Sequence, residues 1–168
     1  MGVNTSWAET FVVTSSQDSG KGTLREALTA ANNAQEAAEI IFNIDPETNS
    51  LTNDNKAIIY VQTPLPEING SEPVTIKAQK NIILDGDKSK SKFPGLTITS
   101  SDNIIQGLVI QHFGAGGILI HGTDAGNVSG NVLVQNHFLD NGIYDQNGNS
   151  GDGIRLAVNV RNSLIYEN

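Results

Sequence analysis

The chain predicts an all-β solenoid, a right-handed parallel β-helix of about five coils with an amphipathic helix capping its first coil. Three observations point there. Asn81, Asn103, Asn127 and Asn159 are each followed by Ile or Val, at spacings of 22, 24 and 32 residues. In the last three copies an apolar pair follows at the fifth and seventh positions: Leu108/Ile110, Val132/Val134 and Leu164/Tyr166. Self-similarity at this period writes a solenoid, and the alternation inside each copy writes strands. Asn tolerates the left-handed backbone of a tight turn, and stacked amides about 4.8 Å apart bond from coil to coil. The expectation is an asparagine ladder in which Asn103 and Asn127 share one column.

The chain is 168 residues long, which is one domain of ordinary size. Residues 1–10 read as a tail or export remnant and 11–168 as a single β-helix domain, with regular coils from 74 to 168. Ser6-Trp7-Ala8 before Glu9 places small residues where a signal peptidase reads, but the charged and apolar regions that precede such a site are missing. An export remnant and a chance match both stay open. Phe11-Val12-Val13-Thr14 is a strand. Thr23-Leu24-Arg25-Glu26 fits a capping box, and Leu24, Ala27, Leu28 and Ala31 share one face of a helix over 23–36. That helix covers the open edge and apolar end that a first coil exposes.

Glu39–Ile44 and Ala57–Val61 are further strands. Val74-Thr75-Ile76 is expected to stack with Leu96-Thr97-Ile98, Ile118-Leu119-Ile120 and Ile154-Arg155-Leu156, with the isoleucines inside. The chain stops inside a repeat copy at Tyr166-Glu167-Asn168. Three outcomes are open: a piece of a longer protein, a homodimer paired through an uncapped C-terminal coil, or an aggregation-prone module.

Composition excludes several functions. With no cysteine there is neither a disulfide nor a thiolate metal site. A net charge of −8 argues against nucleic acid as partner, because that binding rests on neutralising phosphates. No apolar run is long enough to span a membrane.

The segments Phe11-Val-Val-Thr, Asp18-Ser-Gly-Lys-Gly-Thr-Leu-Arg-Glu-Ala-Leu, Ile41-Phe-Asn-Ile, Pro73-Val-Thr-Ile and Leu84-Asp-Gly together resemble the start of bacterial surface or secreted right-handed β-helix proteins of the pectate-lyase-like fold. These carry a serine/threonine-leucine-arginine-glutamate-alanine segment near the N-terminus, and the resemblance covers nearly the whole chain. It implies the β-helix and an extracellular or cell-surface setting. It implies little chemistry, because the family includes adhesin-like, carbohydrate-binding and polysaccharide-degrading members.

Candidate sites come from the irregularities. Ile118 to Ile154 spans 36 residues where Leu96 to Ile118 spans 22, and the excess lies between Leu139 and Gly153. Solenoid insertions go to loops, often on the binding face. This one is expected beside His121, Asp124 and Arg155. Its Asp145, Asn147, Asn149 and Asp152 offer oxygens at close spacing, a ligand set suited to calcium, although the glycine and glutamate of an EF-hand loop are absent. A solvated turn-rich loop explains the same residues. A lyase on this scaffold would hold its cation on Asp145 and Asp152 and use Arg155 as the base. A hydrolase would use Asp124 and Asp152 as its carboxylate pair.

Lys77, Lys80, Lys88, Lys90 and Lys92 supply half of the ten cations. They read either as a contact for an acidic polysaccharide, with His121 and Tyr144 as further ligand-binding candidates, or as lysines guarding a sheet edge. His112 and His137, each before a Phe, read as turn residues beside core rings. The function expected is a rigid module binding carbohydrate or a surface; the alternative is an enzyme acting on an acidic polysaccharide.

Overall fold

The computed structural model describes residues 8–44, 56–87, 92–123, 126–142 and 152–168. Its strands are β1 (Glu9–Val13), β2 (Ala38–Phe42), β3 (Ala57–Tyr60), β4 (Val74–Asp85), β5 (Leu96–Ile98), β6 (Ile104–Gln111), β7 (Ile118–Ile120), β8 (Val128–Ser129), β9 (Val132–Val134), β10 (His137–Leu139), β11 (Ile154–Leu156), β12 (Val160–Arg161) and β13 (Leu164–Tyr166), with one helix, α1 (Leu24–Asn32). Every pairing between these strands is parallel. The largest sheet runs β1-β2-β4-β6-β9-β13, joined by β3 on β4 and β10 on β6; β5, β7 and β11 form a second sheet, and β8 and β12 a third. This is a parallel β-solenoid of about five turns, as expected.

Register makes the core. Phe11, Ile40, Ile76, Ile105, Leu133 and Ile165 lie in one column; Ile59, Leu84, Ile110 and Phe138 lie in a second. Ile68, Ile98, Ile120 and Leu156 make the third. The middle members of all three columns are fully buried, each contributing about 2–3 kcal/mol by leaving water. One continuous cluster joins them to the apolar face of α1.

The helix buries Leu24, Ala27, Leu28 and Ala31, the four positions read from its periodicity. It starts at its cap: Thr23 Oγ accepts from Glu26 N, and Glu26 Oε2 accepts from Gly22 N at 2.6 Å. It ends at Asn32, earlier than the expected residue 36. The last turn is closed there by Asn33 and Ala34 N–H groups donating to Ala30 and Ala31 carbonyls.

Arg25 then ties the helix to two other segments. Its guanidinium donates to the Asp18 carboxylate at 2.8 Å and to the carbonyls of Asp18, Thr63 and Pro64. This gives the arginine of the Thr-Leu-Arg-Glu-Ala segment a structural role.

Three expectations are corrected. Val74-Thr75-Ile76 stacks with β2 and β6 in the large sheet, not with β5, β7 and β11, whose own register is as expected. Coil stacking already begins at β1 and β2.

The third correction is the asparagine ladder, which exists with other members. Asn103 pairs with Asn131: Asn131 Oδ1 accepts from both the backbone N–H (2.9 Å) and the side-chain amide (3.0 Å) of Asn103. Asn136 pairs in the same way with Asn168, and Asn141 Oδ1 accepts from Phe113 N. Asn127 is exposed and aligns with Asn159 on another turn, and Asn81 is exposed within β4.

The physical role also differs from the one expected. The left-handed residue at each corner is the one before the amide: Asp102 (φ 62°), Gly130 (φ 71°), Gln135 (φ 56°), Asp140 (φ 45°) and Glu167 (φ 54°). There the strand ladder breaks, and the Asn amide, buried at Asn103, Asn131 and Asn136, replaces the lost bonds. Its oxygen accepts from an N–H of the preceding coil, and its NH2 donates to a carbonyl there: Asn131 to Ser100, Asn136 to Ile105, Asn141 to Ile110 and Asn168 to Leu133.

Candidate functional site

One corner of the solenoid lies between the large sheet and the second sheet. It leaves the large sheet after Asp85, Gln111 and Leu139, which are register partners, and enters the second sheet at Leu96, Ile118 and Ile154, also register partners. Ten, six and fourteen residues bridge these points in successive coils. The lysine-bearing segment and the insertion therefore belong to one corner, two coils apart, with the short turn of Phe113 between them. Gly95, Gly117 and Gly153 stack where the corner re-enters the sheet. A Cβ on Gly117 would lie 2.5 Å from the Gly153 carbonyl and 2.6 Å from the Phe138 ring, so only glycine lets the rings of the core approach here.

Beneath this corner is a polar cluster that sequence reasoning missed. Asp85 is buried, and its Oδ1 lies 2.9 Å from His112 Nδ1 and accepts from Asp87 N at 2.9 Å. Its Oδ2 accepts from Gln111 Nε2 at 2.8 Å. A carboxylate facing Nδ1 assigns the proton to that nitrogen and holds the ring in one orientation. His112 has a left-handed backbone (φ 61°) and a side chain one-third exposed. It is a turn residue, as expected; it is also bound to a carboxylate 27 positions earlier. His137, by contrast, begins strand β10.

The predicted site residues separate as follows. His121 follows β7, half-buried, with Nδ1 3.0 Å from the Gly122 carbonyl. Arg155 lies exposed in the middle of β11 opposite Leu119, and Asp152 is exposed just before that strand, its carbonyl accepting from Gly117 N. Asp152 and His121 thus stand at opposite ends of the second sheet, separated by a three-residue strand of about 10 Å. Among the described residues no hydrogen bond or ion pair joins His121, Asp152 and Arg155. Lys92 is exposed. Lys88, Lys90, Asp124, Tyr144, Asp145, Asn147 and Asn149 lie outside the described residues. Among the described residues no group of three or more His, Cys, Asp or Glu converges as a metal centre, and no helix is long and apolar enough to cross a membrane.

Comparison with known proteins adds no assignment: neither a protein-family model nor a curated protein matches the chain.

Proposed function

We propose that this chain is an exported β-solenoid module, extracellular or on a cell surface, that presents a rigid face to carbohydrate or to another surface. The observation that carries this reading is the common corner. Coil stacking gives the flanks of the lysine segment and those of the insertion one position on the solenoid, over a backbone held in register by buried columns. Rigid scaffolds with variable loops on one side are a common arrangement for recognition. The likeness to bacterial secreted β-helix proteins supports the setting. Calcium on Asp145, Asn147, Asn149 and Asp152 would brace the insertion, and pairing of two copies through β13 would cover its exposed Leu164, Ile165 and Tyr166.

Electrophoresis through gels containing polysaccharide tests this reading. Retardation is expected in at least one neutral or acidic polymer, without shortening of the polymer. If every polymer leaves mobility unchanged, the reading fails.

A second reading, a lyase, epimerase or hydrolase acting on an acidic polysaccharide, is favoured by one observation, the imidazole of His112 oriented by buried Asp85. It predicts an unsaturated, shortened or epimerised product on pectate or alginate; for a lyase the product is lost on chelation and in Arg155→Ala. Unaltered polymer after prolonged incubation excludes it.

A further inference from the structure

The large sheet has a niche on its outer side, at the junction of its two halves. Between Lys77 and Ile82 the register of β4 against β6 slips, so that four residues, 78–81, face the single residue Gly107. Gly107 and Gln79 both have left-handed backbones (φ 74° and 50°), and the slip opens a hollow of about 260 Å³. Its lining is Lys77, Ala78, Gln79, Gln106, Gly107 and Gln135. This lies just below the roughly 300–1,000 Å³ of pockets for drug-sized ligands, a size suited to a small polar ligand such as a sugar unit.

The lining has hydrogen-bonding capacity and little net charge. Gln106 Nε2 donates to Gln135 Oε1 at 3.1 Å, and Gln135 Nε2 donates to Glu167 Oε2 at 2.9 Å. That relay fixes both amides in orientation and leaves Gln106 Oε1 as an acceptor at its open end. Gln79 is exposed, and its side chain makes no hydrogen bond to any described residue. Lys77, the cation on the rim, is already paired with Glu39. Among the described side chains Glu39 and Glu167 stand against one ammonium, a balance that disfavours a carboxylated ligand, as does the chain's charge of −8. No aromatic ring lines the hollow, so a flat apolar ligand has nothing to stack on. Preset amides that donate and accept at neighbouring points, around a hollow of that size, match vicinal hydroxyl groups.

We infer that this niche binds one neutral sugar unit through Gln79, Gln106 and Gln135. The inference rests on the carbohydrate reading and narrows it to neutral glycans at this place. The test is a side-chain amide NMR titration of the full chain with maltotriose, cellotriose and mannotriose, and with trigalacturonate as the acidic comparator. At least one neutral trisaccharide is expected to shift the amide signals of Gln79, Gln106 and Gln135 saturably, in the millimolar range. Gln79→Ala, at an exposed position, is expected to weaken that binding about fivefold, the factor of one hydrogen bond. Lys77→Ala is expected to change it less than twofold.

Saturable binding that moves other signals and is unaffected by Gln79→Ala overturns the niche and leaves the carbohydrate reading standing. Binding of trigalacturonate alone overturns the neutral assignment. If no trisaccharide perturbs the protein and no polymer retards it, both fall together.

Discussion

Two corners of this solenoid obey different rules. At the corner between the two halves of the large sheet, Gly107, Gln135 and Glu167 follow one another as single left-handed residues, and the next residues of the later two coils are Asn136 and Asn168. At the corner beyond Asp85, Gln111 and Leu139 the bridging length runs from six residues to fourteen. The difference is where the amides are. Asn131, Asn136 and Asn141 each accept from the backbone 28 positions earlier, at Asn103, Leu108 and Phe113. Over that stretch the coil length cannot vary without breaking buried bonds. Past Asn141 that constraint ends, and the insertion begins. In the coils that carry these amides the solenoid keeps a fixed length, and beyond Asn141 it has freedom to vary.

The comparison is broken most severely by changing chain length. One glycine inserted after Gln135 displaces Asn136 from Leu108 and Ile105 and shifts β10 off β6. The expected result is loss of the cooperative thermal transition. One glycine inserted between Asn147 and Gly148, in the long segment, is expected to cost under ~1 kcal/mol, since loop closure depends weakly on length. Urea melts of the two variants measure the contrast.

Next in size is removal of an amide. Asn131→Ala leaves the buried Asn103 N–H without its partner and takes one of two donors from the Ser100 carbonyl, and is expected to lower stability by about 2 kcal/mol. Asn127→Ala, on an exposed turn, is expected to cost less than ~0.5 kcal/mol. Equal effects would restore the original ladder.

Arg25→Ala sharpens the account at the first coil. It removes bonds to Asp18, Thr63 and Pro64 from a mostly buried guanidinium, and a loss of about 2 kcal/mol is expected in the same melts. The smallest effect is a gain. Ser163 follows Asn131 in the ladder column, and its buried Oγ has no partner. Ser163→Asn is expected to stabilise by about 1 kcal/mol by extending the ladder one coil.

The fold was largely legible in the sequence because apolar spacing and local chemistry agree. The helix face at Leu24, Ala27, Leu28 and Ala31 follows from period alone, and β5, β7 and β11 align because each opens with a glycine before Leu or Ile. The ladder was misaligned for a specific reason. Asn127 and Asn131 stand four apart, each followed by Val, so the repeat threads through either. The discriminating signal is the five-residue step Asn131, Asn136, Asn141, with the left-handed residue just before each.

Of the candidate site, the insertion's existence was visible and its corner was not, because the stacking register decides which loops become neighbours. Asp85 and His112 carry no motif; only the alignment of Asp85 with Gln111 brings them together. The niche at Gly107 depends on a four-against-one register slip, which no spacing in the sequence announces.

The most direct test of the amide-bound corner is native-state hydrogen exchange at the backbone N–H of Asn103, Leu108 and Phe113. In the unaltered chain all three are expected to exchange as slowly as the core strands. In Asn131→Ala, under conditions where the chain stays folded, Asn103 alone is expected to lose most of its protection, while Leu108 and Phe113 keep theirs. Rapid exchange of Asn103 in the unaltered chain, or equal loss at all three sites in the variant, would contradict the account.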